Sequence, residues 1–168
     1  MIESKQGGGT FVSSNALQNT LEQLKSANQD NLSQLMQVRA IVEIGCVELA
    51  AQYRSVENLQ ELNNMLGQME DAVENEEMSQ LYDANFHLAI AKATQNPYLQ
   101  TMMEGLSESL HGTMQVSRRL WLEQGTQSLR QLFEEHREIY LAIARQDVHK
   151  ASLSMKKHLD QVMKALQK

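Results

Sequence analysis

The sequence is short of the residues that interrupt helices or staple small folds. One proline and eight glycines in 168 residues exclude a chain cut into many short strands and turns. The single cysteine, Cys46, excludes an internal disulfide; between Ile44 and Val47 it reads as a small buried apolar side chain. No apolar stretch approaches the ~20 residues needed to cross a bilayer, and no signal-peptide pattern opens the chain. Positive charge is scarce as well. Fifteen basic residues stand against 21 acidic ones, for a net charge of −6, and no basic run exceeds two residues. Such a surface is poorly placed to replace counterions along a duplex. Together these absences point to a cytoplasmic protein whose own surface does not bind DNA.

What is present is helical. Apolar residues make up 42% and charged residues 21%, the range of a globular domain with a real core. Leu, Gln, Glu, Met, Ala and Lys are good helix formers. The periodicity predicts helices over about 15–26, 31–54, 56–74, 77–94, 97–123, 128–145 and 148–166. Ser55 and Asp147 are candidate N-caps, Pro97 suits a first helical position after Asn96, and Gly125 breaks the chain before a Ser128/Gln131 capping box. Short connections imply antiparallel neighbours, so the expected fold is an all-α antiparallel bundle of six to seven helices. Residues 1–14 differ in character. Their Gly triplet and Thr-Phe-Val read as a turn into a short strand, with no second strand nearby to pair with it.

The stretch LYDANFH, residues 81–87, places Asp83 and His87 four apart within an apolar helical pattern of Leu81, Tyr82, Phe86, Ile90 and Ala93. At that spacing the two side chains stack on one side of the helix. The pair is either a solvated polar edge or half of a metal site. Two further histidines bear on the choice. His136 shares a stripe with Leu132, Ile139 and Ile143, and His158 shares one with Ala151, Met155 and Val162. Burying four such polar groups costs several kcal/mol unless they satisfy one another or a cation, and imidazole and carboxylate are natural metal ligands. His149, beside Lys150, reads as solvated. Glu108 and His111 form a single Glu-x-x-His, where a di-iron bundle needs two, and no zinc-hydrolase His-Glu-x-x-His is present. Glu135 neighbours His136 but is expected to be turned away by ~100°, so no general base stands out on the inward stripes.

Arg39 lies on the helix face of Leu35, Val42 and Cys46. It reads either as an i,i+4 partner of Glu43 or as a fork for a ligand carboxylate. Arg118 is a second candidate for the latter role. The ten methionines are most simply core filler.

Taken together, Arg39-Ala-Ile-Val-Glu43, Glu48-Leu-Ala-Ala51, Asp83-Ala-Asn-Phe-His87-Leu-Ala-Ile-Ala91, Asn96, His136, Asp147, Ala151, Met155 and His158-Leu159 resemble a known family. It is the C-terminal effector-binding (FCD) domain of FadR-type GntR transcription regulators, and the likeness covers about residues 31–165. The branch most resembled responds to lactate and pyruvate. The resemblance implies a helical bundle with one divalent metal at the bottom of a central cavity, held by Asp83, His87, His136 and His158. Zinc is the first expectation, with nickel, manganese or iron also fitting. It further implies a small carboxylate effector, a 2-hydroxy or 2-keto acid, with Arg39 and Arg118 as candidate contacts, and a homodimer. Residues 1–14 look like the remnant of the wing of a winged helix-turn-helix domain. Residues 15–168 would be the metal- and effector-binding domain, and operator DNA would be bound by a full-length form. The competing reading is a metal-dependent enzyme acting on a small carboxylate.

Overall fold

The computed structural model describes residues 2–5, 9–12, 32–72, 76–123 and 129–166, with side chains over 33–72, 81–110 and 129–164. Among the described residues six helices follow one another: α1 (Leu32–Tyr53), α2 (Val56–Asp71), α3 (Glu76–Ala93), α4 (Pro97–Glu123), α5 (Leu129–Ala144) and α6 (Val148–Leu166). They build the expected all-α bundle. The helix expected over 15–26 and the Gly125 and Ser128 signals lie outside the described residues.

Local chemistry sets the helix ends. Ser55 closes a capping box with Asn58: its hydroxyl accepts from the Asn58 backbone N–H, and the Asn58 side chain accepts from that of Ser55. This satisfies two donors that the first turn of α2 would otherwise leave open. Asn96 Oδ1 accepts from the Tyr98 backbone N–H at 3.0 Å, with Pro97 in the first position of α4. Asp147 Oδ1 accepts from the Lys150 N–H at 2.9 Å and caps α6. At the other end of α5, the Arg54 guanidinium donates to the carbonyls of Ile143 at 3.1 Å and Ala144 at 2.8 Å. A cation on the last carbonyls of a helix also complements its dipole.

Helix α1 packs against α3, α4, α5 and α6, so much of its circumference is interior. Leu35, Met36, Cys46, Val47, Ala50 and Ala51 are buried on it, and so are Arg39 and Glu43. Burial pushes the Cys46 thiol up to about 12, which fits an inert core thiol. The stripes expected on the last two helices are both inside: Leu132, His136, Ile139 and Ile143 on α5, and Ala151, Met155, His158 and Val162 on α6. His149 is exposed.

Two expectations are corrected. Leu81, read as part of the apolar pattern of α3, is half-exposed; it lies off the face of α3 that carries Phe86 and Ile90. The segment before the bundle is not a lone strand. β1 (Ile2–Lys5) pairs antiparallel with β2 (Gly9–Val12), Ile2 opposite Val12 and Lys5 opposite Gly9. Glu, Ser and Lys have weak strand preference, so Ile2–Lys5 gave no strand signal of its own. Among the described residues, no helix is long and apolar enough to cross a membrane.

Candidate metal centre

Asp83 and His87 come from α3, His136 from α5 and His158 from α6. All four are buried, and one ligand atom from each lies within 4.8 Å of all the others. His136 Nε2 is 3.3 Å from His87 Nε2 and 3.0 Å from Asp83 Oδ1. The helical spacing that stacks Asp83 on His87 therefore points both inward, and the solvated-edge alternative is excluded. Phe86, the residue before His87, sets its ring edge-on to His136 at 5.1 Å between centroids. It closes that side with an apolar wall.

The other ring nitrogen of each histidine lies close to an oxygen. His136 Nδ1 lies 2.7 Å from the carbonyl oxygen of Leu132, one turn back in α5. His158 Nδ1 lies 3.1 Å from Glu135 Oε2. His87 Nδ1 lies 2.5 Å from Glu43 Oε2 on α1, although the line between them departs from that of a well-formed hydrogen bond. A carboxylate can only accept, so Glu135 favours the His158 tautomer protonated on Nδ1 and leaves its Nε2 lone pair to a cation. His136 meets an acceptor at both nitrogens, the Leu132 carbonyl at Nδ1 and Asp83 at Nε2.

Sequence reasoning missed Glu43 and Glu135 as parts of the site. Glu135 is not turned away: it is 5% exposed and reaches His158 across the α5–α6 contact. Glu43 is 2% exposed and touches both His87 and Arg39. The signal available for each was a carboxylate within one turn of an inward residue, which is common on solvated helices. For Arg39, the i,i+4 partnership with Glu43 is present, and it is buried instead of lying on the surface. The side chains of His111 and Arg118 lie outside the described residues.

The electrostatics follow from burial and neighbours. Burial alone would raise the Glu43 carboxyl, but the Arg39 guanidinium and the His87 ring outweigh it and hold the group down at about 2. Burial also opposes the charge on Arg39, yet Glu43 and Asp83 overcome this and raise its pKa. His158 is lowered to about 4, first by burial and then by His136, against the opposing hydrogen bond to Glu135. It is neutral at pH 7 and ready to act as a ligand. With their carboxyls ionised, Asp83, Glu43 and Glu135 against Arg39 leave a formal charge of −2 in a buried volume. A divalent cation cancels it.

The FCD domain family model matches residues 34–161. The HTH-type transcriptional regulator LutR of Bacillus subtilis is 34% identical over 165 residues, spanning 96% of this chain and 75% of that protein. The Uxu operon transcriptional regulator of Escherichia coli is 28% identical over 182 residues, spanning 99% of this chain and 66% of that protein. Among solved structures, Streptococcus agalactiae GntR superposes with a TM-score of 0.66 at 27% identity, covering 97% of this chain and 74% of that one. These are transcription regulators and not enzymes, and the bundle is the effector-binding domain of such a protein. The chain belongs to the FCD domain family of FadR-type GntR regulators.

Proposed function

We propose that this chain is the sensor of a bacterial transcription regulator, holding one divalent metal on Asp83, His87, His136 and His158 and recognising a small carboxylate beside it. The observation that carries the reading is the pairing of two features. Four donors converge within 4.8 Å, and Nδ1 is hydrogen-bonded on His136 and His158 and lies 2.5 Å from the Glu43 carboxylate on His87. A histidine buried only for packing needs hydrogen-bond partners too, but it has no need of three further donors converging on it. The mixed nitrogen and oxygen set suits zinc first, and nickel, manganese or iron as well.

When bound, the metal would supply Lewis acidity that draws an anionic oxygen ligand. An ion that takes six ligands keeps room for two more oxygens, and a 2-hydroxy or 2-keto acid such as lactate or pyruvate offers two on neighbouring carbons. Arg39, its guanidinium oriented by Glu43, is the candidate charge-assisted contact to that carboxylate, with Arg118 the second. Because α3, α5 and α6 all donate ligands, filling the site biases how they pack. A repacking of that kind can shift the population of a linked DNA-binding domain. Residues 1–14 fit the wing of a winged helix-turn-helix domain, and residues 15–168 the sensor. A cytoplasmic homodimer is the expected assembly, with operator DNA as the partner of a full-length form. Metal analysis of protein purified without added metal, followed by calorimetric titration with 2-hydroxy and 2-keto acids, tests the reading. Turnover of a bound acid would replace it with the enzyme alternative.

A further inference from the structure

The three imidazoles are not fixed in the same way. His136 is held by a carbonyl of its own helix, one turn back, so its orientation follows from the α5 backbone. His87 and His158 face carboxylates that other helices bring to them, in a hydrogen bond at His158 and in a close contact off the hydrogen-bond line at His87. Glu43 arrives from α1 at 2.5 Å and Glu135 from α5 at 3.1 Å. Neither carboxylate belongs to the group of four convergent donors. Both are almost fully buried, where an ionised carboxyl is costly unless paired.

We propose that Glu43 and Glu135 are positioning residues that set the metal affinity of the centre, by fixing the ring orientation and tautomer of His87 and His158. The inference rests on the reading of Asp83, His87, His136 and His158 as a metal centre. Two physical effects carry it. A carboxylate accepting from Nδ1–H places the lone pair on Nε2, where the donors converge, and makes that nitrogen more basic. Each carboxylate also brings a negative charge that a cation offsets, so the metal-bound state gains from it and the empty state does not. Through Glu43, helix α1 joins the centre although it donates no ligand, and the same carboxyl engages Arg39 through its other oxygen. The orientation of a metal ligand and that of the candidate effector contact therefore depend on one side chain.

The test uses the full chain, with cobalt(II) as the probe. Its affinity is measured by competition with a chelator, and the visible absorption of the cobalt-loaded protein reports the ligand set. Nitrogen-15 spectra of the imidazoles in metal-free protein report the tautomers, and circular dichroism checks folding. In the wild type, His87 and His158 are expected to carry the proton on Nδ1, the nitrogen that faces Glu43 and Glu135. Glu135→Leu should give a mixed tautomer at His158 and weaken cobalt by tenfold to a hundredfold. Glu135→Gln, which keeps an acceptor but loses the charge, should restore the tautomer and part of the affinity. For Glu43, the comparison is Arg39→Met/Glu43→Leu against Arg39→Met alone, so that no unpaired guanidinium is left inside; a similar loss is expected. Should either Leu variant fail to fold, the corresponding Gln variant decides, since unchanged cobalt affinity there counts against the proposal. Unchanged affinity and spectrum in the Glu variants, with His136→Ala abolishing binding, would overturn the positioning role and leave the metal centre standing. A wild type that takes up no cobalt would overturn the metal centre itself, and the positioning role with it.

Discussion

His136 Nε2 lies 3.0 Å from Asp83 Oδ1, joining α5 to α3 across the interior of the bundle. With Nδ1 already engaged by the Leu132 carbonyl, this imidazole has both nitrogens in contact and no exposure to solvent. Its substitution is the sharpest probe of the centre.

Metal removal is expected to lower the melting temperature, because a ligand bound only by the native state adds stability, about 2.7 kcal/mol at a hundred times Kd. His136→Ala should abolish most of the difference between chelated and metal-loaded protein. His149→Ala, at an exposed position on α6, should leave it intact. Thermal unfolding with and without chelator makes the comparison; equal effects from the two substitutions would refute the assignment.

Acid should destabilise the metal-free protein in two stages. His158 is neutral in the fold down to about 4 against an ordinary 6.5. As pH falls through that window the unfolded chain gains a proton that the native state refuses, and stability drops. Glu43 has a folded pKa of about 2 against an ordinary 4.5. Its contribution is complete above 4.5 and is lost as pH falls toward 2. Denaturant melts from pH 7 to pH 3 should show stability falling throughout, and His158→Gln should flatten the upper stage.

Lactate-like acids are expected to bind metal-loaded protein and not metal-free protein. Arg39→Ala should weaken them by tenfold or more, equivalent to about 1.4 kcal/mol. Calorimetry on both forms decides it. Binding that survives complete metal removal would refute chelation, and unchanged affinity in Arg39→Ala would leave the metal and remove the arginine. Circular dichroism must accompany that variant, because it strands the buried Glu43 carboxyl.

The chain of 168 residues, at −6, is expected to show no sequence-specific binding to duplex DNA. A footprint from this chain alone would overturn the division into a sensor and a separate reader.

Arg54→Ala should cost about 1–2 kcal/mol, because it removes two charge-assisted hydrogen bonds to the last carbonyls of α5. Urea unfolding of the metal-free protein should show it without change in metal affinity.

His136 and His158 were legible in the sequence because each sits where an apolar residue should, whereas Asp83 and His87, a pair whose spacing left both a solvated edge and a metal site open, joined them only through the family resemblance. A histidine four residues after the leucine of a Leu-x3-His-x2-Ile-x3-Ile stripe marks itself. Glu135 was not legible, and the reason is geometric. An offset of ~100° from His136 buries nothing on a helix with one inward stripe, but α5 packs against α1, α2 and α6. Its buried arc takes in Phe133 and Glu135 as well as Leu132 and His136. Glu43 was hidden in a similar way: on a helix covered by α3, α4, α5 and α6 an i,i+4 pair with Arg39 looks the same in sequence as a surface pair. Helix ends were readable wherever a cap carried them, as at Ser55, Asn96 and Asp147. The capping role of Arg54 was not, because its acceptors lie 89 and 90 positions away.

Apolar seams between helices are permissive about axial alignment, since a leucine one turn along fills much the same hole. The Glu43–His87, Asp83–His136 and Glu135–His158 contacts are not. Sliding α1 along α3 by one turn, ~5.4 Å, would leave a buried carboxylate facing hydrocarbon, at a cost of several kcal/mol. The polar centre thus acts as a key that admits one alignment of these helices.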